Sequence, residues 1–150
     1  MSQYSQNVKS RLSFGESLTS VFNHYATFTG RARRSEYWWF FFAYGVVQSF
    51  FQLMQYALVY QAYESGYPLS FINNPAYSAL SIMAGIVFLG LLLPSLAVTV
   101  RRFHDIGKSG WNILWILLPI VGVILVLVWM CQDSDVVTNK YGISPKYNQI

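Results

Sequence analysis

Residues 75–100, PAYSALSIMAGIVFLGLLLPSLAVTV, contain no Asp, Glu, Lys or Arg, and their reading decides the fold. A helix of about 20 residues, rising about 1.5 Å each, crosses a hydrocarbon core of about 30 Å. Inside that core no water satisfies a peptide N–H or C=O, so only a helix or a closed barrel pairs them all. An unbroken apolar run of this length favours the helix. Two further stretches, Tyr37 to Tyr63 and Trp111 to Gln132, are equally free of Asp, Glu, Lys and Arg. The expected spans are about 37–60, 76–100 and 111–132.

Composition excludes the ordinary soluble alternative. Hydrophobic residues make up 54% of the 150-residue chain and charged residues 11%, against about 25% charged in a soluble domain. Three helices that are apolar all round need more covering protein than a chain of this size supplies. The net charge of +4 does not indicate nucleic acid, because the basic residues fall in two short clusters that each abut an apolar segment. Cys131 stands alone, so no intrachain disulfide forms. Met1 to Arg11 are polar and lack the apolar core of a cleavable signal. The chain reads as a single integral membrane domain, 1–150, all-α, with three transmembrane helices preceded by an N-terminal amphipathic helix and followed by a polar tail, 133–150.

The N-terminal helix is expected over about 14–29. Phe14, Leu18, Val21, Phe22, Tyr25 and Phe28 recur at helical spacing and make one apolar face. Ser13 followed by Glu16 is a capping-box pattern, and Gly30 supplies a C-terminal stop. The polar face (Ser17, Thr19, Ser20, Asn23, His24) lacks the lysines of a surface-binding helix, so packing against the bundle competes with lying in the headgroup layer.

Orientation follows from Lys and Arg. Lys9, Arg11, Arg31, Arg33 and Arg34 precede the first span, and Arg101, Arg102 and Lys108 lie between the second and third. The first loop, around Glu64, has none. The positive-inside rule puts the N-terminus and the second loop in the cytoplasm and, with three crossings, the tail outside. Aromatics agree, with Trp38, Trp39, Trp111 and Trp115 near the inner boundary and Tyr60, Tyr63, Tyr67 and Trp129 near the outer one. Pro119 and Gly122 leave one alternative open for the third segment, a re-entrant hairpin that would return the tail to the cytoplasm.

Within the first span Gln48, Gln52 and Gln55 share a face with Gly45. An amide facing hydrocarbon without a partner is costly, so this stripe predicts a helix contact or a polar cavity. The spans carry no ionisable residue, which disfavours an ion-coupled carrier acting alone.

The densest cluster of chemistry is Arg101-Arg102-Phe103-His104-Asp105-Ile106-Gly107-Lys108-Ser109-Gly110-Trp111. Much of it reads as a topology clamp in which the arginines stop translocation, Gly107 and Gly110 allow reversal and Trp111 anchors the next helix. Glu36 lies at the same depth, so Arg31 or Arg34, and Arg101 or Arg102, are expected to pair with it. The same groups, with Lys108 and Ser109, compose a candidate site for an anionic lipid headgroup or soluble anion. Gly107-Lys108-Ser109 resembles the end of a P-loop, but Arg102 stands where the earlier glycine is required. The only other histidine is His24, so no metal, cofactor or catalytic residue is assigned.

Two separated motifs carry a family resemblance. Phe28, Gly30, Arg31, Arg34, Glu36, Tyr37 and Trp38 form the first. Arg101, Arg102, His104, Asp105, Gly107, Ser109, Gly110 and Trp111, followed by Pro119 and Gly122, form the second. Together they resemble the bacterial inner-membrane proteins called domain of unknown function 805, and Asn139, Tyr141 and Gly142 look like that family's closing motif. Phe103 departs from the usual leucine, and Gln132 to Thr138 lack the usual Pro and Gly. The resemblance implies a multi-pass protein of the bacterial inner (plasma) membrane. The function expected is non-enzymatic, a binding or accessory protein that recognises membrane lipids or a membrane protein partner. The alternative is an oligomeric small channel or transporter component, a homo-oligomer around the glutamine stripe.

Overall fold

A computed structural model describes residues 10–147; Lys9, counted above among the basic residues, lies outside the described residues. Among the described residues the regular elements are all helices, apart from one isolated antiparallel bridge between Asn139 and Gly142. Four α-helices follow in order: α1 (Phe14–Asn23), α2 (Arg34–Glu64), α3 (Pro75–Asp105) and α4 (Val121–Cys131). Two 3₁₀ segments, Ser70–Asn73 and Gly110–Leu117, precede α3 and α4. The contacts divide the described residues into two compact units, one formed by those up to 41 with those from 93 onward and the other by 42–92.

The capping box at the start of α1 forms as its sequence dictates. Ser13 Oγ accepts from the Glu16 N–H at 3.3 Å, and Glu16 Oε2 accepts from the Ser13 N–H at 2.7 Å. Bonds from the Ser13 backbone N–H and the Ser13 side chain hold the Glu16 carboxyl below its usual range. Val21 and Ser17 are buried, and Phe14 and Phe22 meet Trp39 and Phe40 edge-on at centroid distances of 5.5 and 6.4 Å. The helix stops at Asn23, short of the expected residue 29. His24 Nδ1 bonds back to the Ser20 carbonyl at 2.8 Å, and beyond it tertiary bonds outweigh the apolar periodicity. Ala32 N–H donates to the Arg101 carbonyl at 3.0 Å, and Gly30 turns with φ +85°.

α2 and α3 have 31 residues each, about 46 Å of helix. By length and composition α3 is apolar enough to cross a membrane, with a mean hydropathy of 2.3 over its most apolar window. Asn74 caps α3 by accepting from Ala76 N–H at 2.9 Å, with Pro75 in the first helical position where its missing N–H costs nothing. In the unit 42–92, Gln55 Nε2 donates to Ser81 Oγ at 3.0 Å and Gln48 Nε2 to the Tyr44 hydroxyl at 3.3 Å. Gln52, expected on the same stripe, is exposed.

Residues 111–132 do not form one long helix. Leu118, held extended by the following Pro119, has ψ 110°, and Ile120 has φ +64°. The chain therefore breaks between the 3₁₀ segment and α4. Gly122 backs directly onto Trp115, so closely that a Cβ there would overlap the Trp115 carbonyl oxygen. α4 has only 11 residues, about 16 Å and half a hydrocarbon core.

The far end of α4 returns to the end of α3. Trp129 lies 6.0 Å from Phe103 and 6.4 Å from Trp115, with the Lys108 ammonium 4.8 Å above its ring. Two expectations are corrected here. The third apolar segment is a hairpin whose two ends meet, and Trp129 sits with the Arg101–Asp105 cluster instead of at the opposite boundary. Hydropathy alone misleads because a hairpin and a span both need apolar residues; Pro119 and Gly122 decide between them.

Gly122→Ala is expected to lower stability by at least about 2 kcal/mol, read as a fall in melting temperature in detergent. Gly45→Ala, where a Cβ meets nothing within 4 Å, is the tolerated control. An unchanged melting temperature for Gly122→Ala contradicts the close fold-back.

Candidate functional site

α3 ends in a Schellman motif, with Lys108 N–H donating to the Phe103 carbonyl at 2.9 Å and Gly107 N–H to that of His104 at 3.1 Å. Gly107 has φ +71°, a conformation that favours glycine. Its missing side chain also admits the Asp135 carboxylate, which a Cβ would meet at 2.9 Å. The last turn is thus a buried platform of Arg101, Arg102, Phe103, His104 and Asp105.

Asp105 is the centre. Its carboxylate is fully buried and accepts from Arg31 Nε at 3.0 Å, Arg102 Nη1 at 2.5 Å and Ser134 Oγ at 2.5 Å. Burial pushes this carboxyl upward; Ser134, Arg102 and Arg31 oppose it by bonding to the charged form. Every N–H of the Arg31 guanidinium is used: Nη1 donates to the Val137 and Gly142 carbonyls, and Nη2 to those of Asp105 and Asp135. Arg102 donates also to the Met130 and Gln132 carbonyls, at the C-terminal end of α4. Cations at that end suit the partial negative charge of the terminal carbonyls.

The tail closes over this core. Asp135 N–H donates to the Asp105 carbonyl at 3.0 Å, and Asn139 Nδ2 to that of His104 at 2.9 Å. Tyr141 stacks on the His104 ring at 3.8 Å with the planes 4° apart. His104 Nδ1 lies 3.2 Å from the Gly30 carbonyl. Burial, aided by Lys140, holds the imidazole below its usual range despite that bond. The tail thus packs on the same turn that receives Arg31, the arrangement that the hairpin alternative for 111–132 requires.

Glu36 pairs with Arg101 at 2.8 Å, one of the alternatives expected, while Arg31 goes to Asp105. Arg34 stays at the surface, bridging to Asp133 at 3.3 Å and donating to the Cys131 carbonyl at 3.2 Å. Lys108 covers Trp129, Ser109 caps the 3₁₀ segment through the Trp111 N–H, and Trp111 is exposed. Full occupation of Arg31 and Arg102 removes both as direct anion ligands, although their charges act at a distance. Gln48, Gln52 and Gln55 belong to the other unit.

Beside the core lies a cavity of about 680 Å³ lined by Ser20, His24, Gly30, Arg31, Arg33, Glu36 and Arg101, among others. Arg101 is 3% exposed, and its Nε and Nη2 have no hydrogen-bond partner among the described residues. Arg33 Nη1 donates to the Ser10 carbonyl at 2.6 Å. The sequence reading did not assign a site role to Arg33, Ser134, Asp135 or the accepting carbonyls. A backbone acceptor has no side-chain signature, so no sequence pattern announces it.

The profile of the family described as "Protein of unknown function (DUF805)" matches residues 25–143. The inner membrane protein YhaI of Escherichia coli K12 is 32% identical over 128 residues, which cover 85% of this chain and 93% of the relative. The inner membrane protein YhaH of the same strain is 32% identical over 126 residues, covering 84% and 93%. No solved structure matches the chain. The matched region ends just beyond Asn139, Tyr141 and Gly142, the residues that close the tail over His104 and Arg31.

Asp105→Ala leaves two buried guanidinium groups short of their counter-ion and is expected to cost about 3–5 kcal/mol. Asp133→Ala removes a half-exposed carboxylate paired with Arg34 and Lys146 and is expected to cost less than about 1 kcal/mol. Chemical denaturation in detergent compares the two; equal effects contradict the central role of Asp105.

Proposed function

The protein belongs to the family of unknown function DUF805, and on that premise we propose a multi-pass inner-membrane protein that works by recognition and not by turnover. α2 and α3 cross the bilayer, and the 111–132 hairpin dips into the leaflet from the side on which it began. The N-terminus and the tail then share the cytoplasmic face, where Arg31, Arg33, Arg34, Arg101, Arg102 and Lys108 satisfy the positive-inside rule. α1 rests its buried Val21 against this end, an amphipathic brace whose Ser20, with His24 just beyond the helix, lines the cavity beside Arg101. The exposed side chains of Leu117, Ile120 and Val121 suit a hairpin immersed among acyl tails.

The observation that carries the reading is Arg101, a buried cation with an unused hydrogen-bonding edge beside a cavity. It supports binding of an anionic group at the cytoplasmic end, of the kind that membrane lipids or an acidic partner present. The neighbouring side chains support recognition over catalysis. His104 is stacked and bonded, and Asp105 is held by two arginines and a serine, so neither is poised to exchange protons with a substrate. Pairing of Gln55 with Ser81 favours interhelical glue over a permeation path, against the channel alternative.

Native mass spectrometry of protein extracted from membranes of mixed phospholipids is the test. The expected result is retention of anionic phospholipid in preference to zwitterionic, and no loss of that preference in His104→Gln. Equal retention of both lipid classes, with no soluble anion or acidic protein retained either, contradicts the recognition reading.

A further inference from the structure

The cavity beside Arg101 has features that the rest of the basic end lacks. Arg31 spends its donors on Asp105 and tail carbonyls, and Arg102 is tied to Asp105 and the end of α4. Arg101 spends only Nη1, on Glu36 Oε1 at 2.8 Å. Its Nε and Nη2 point along the other edge of the guanidinium, buried and unpartnered. Those two N–H groups form the parallel fork that receives two oxygens of one oxyanion. A buried polar group with no partner is costly, and a bound acceptor relieves that cost.

Charge and size narrow the ligand. Arg31, Arg33 and Arg101 line the cavity with Glu36, and Asp105, which holds Arg31, is shared with Arg102, so four guanidinium groups face two carboxylates and a bound anion offsets the excess. Ser20 of α1 and His24, which caps that helix, stand at its wall and add groups that bond to a tetrahedral ligand's remaining oxygens. A volume of about 680 Å³ exceeds what one phosphate fills and leaves room for the group that carries it.

We propose that this cavity, roofed by α1, is a binding site for a phosphate group, with the Nε/Nη2 edge of Arg101 as its bidentate ligand and Arg33 as the second cation. The proposal rests on the recognition reading above and gives it a location and a ligand class. The phosphate comes from a phospholipid headgroup or from a soluble phosphate compound, and the two sources share this chemistry.

Two probes separate the sources. One is inorganic phosphate, titrated at constant ionic strength against protein in a phosphate-free detergent and followed by melting temperature. The other is native mass spectrometry from nanodiscs containing phosphatidylglycerol mixed with phosphatidylcholine. Two variants are compared with the full chain. Arg101→Lys keeps a cation for Glu36 and loses the fork, and Ser20→Tyr fills the cavity from its half-buried wall without touching the ion pairs. The expected result is saturable stabilisation by phosphate, retention of phosphatidylglycerol, or both, weakened at least tenfold in each variant. Phosphate binding alone identifies a soluble ligand, and phosphatidylglycerol retention alone identifies a lipid.

Should Arg101→Lys fail to fold, Ser20→Tyr carries the test by itself. Equal retention of phosphatidylglycerol by the full chain and by Ser20→Tyr overturns the cavity while leaving the recognition reading intact. Binding of neither probe overturns both.

Discussion

A carboxylate with no exposure to water must be neutralised where it lies, because the desolvation of an unpaired ion exceeds anything packing returns. Asp105 meets that constraint by drawing Arg31 from before α2, Arg102 from its own helix and Ser134 from the tail. Each arginine then has donors left over, and each spends them on carbonyls from the ends of other segments. The two guanidinium groups tie α4 and residues 135–142 to the last turn of α3. One buried charge therefore organises the N-terminal approach, the hairpin's return and the tail.

The hairpin follows from the same arrangement together with local chemistry. Pro119 cannot donate a backbone hydrogen bond and disfavours helix at Leu118, while Gly122 permits the 3₁₀ segment and α4 to touch backbone to backbone. Ile120 takes a positive φ, a strained conformation for a β-branched side chain that its surroundings must hold in place. The carbonyls at the end of α4 accept from Arg102 and Arg34, so the helix terminus is satisfied where it meets the ion-pair core.

Much of this was legible in the residues and some was not. The charge-free run 75–100 marked α3, Ser13 and Glu16 marked the start of α1, and Glu36 was expected to pair with Arg31 or Arg34 and with Arg101 or Arg102, of which Arg101 is its partner. The apolar run 111–132 is broken at Leu118–Ile120 where one long helix was expected, because hydropathy reports the solvent a segment prefers and not the path of its backbone. Trp129 was misplaced as a consequence, its boundary having been inferred from that supposed span. The stop of α1 at Asn23 was hidden because Phe28 continues the apolar period while Gly30 and Ala32 are claimed by His104 and Arg101. Asp105 stood out as unexplained by a plain loop, yet its principal partner, Arg31, lies 74 positions away, and the other acceptors are carbonyls. Asn139, Tyr141 and Gly142 came from family resemblance alone; the structure gives each a contact with His104 or Arg31.

The central claim is that the two ends of the 111–132 segment meet, so that in the proposed topology the tail lies on the side of the N-terminal arginines. Reporter fusions at residue 150 measure this directly, using a fluorescent protein that matures in the cytoplasm and a phosphatase active only outside it. The account predicts a fluorescent fusion and an inactive phosphatase. An active phosphatase with no fluorescence would mean that the segment crosses the membrane, and would contradict the account.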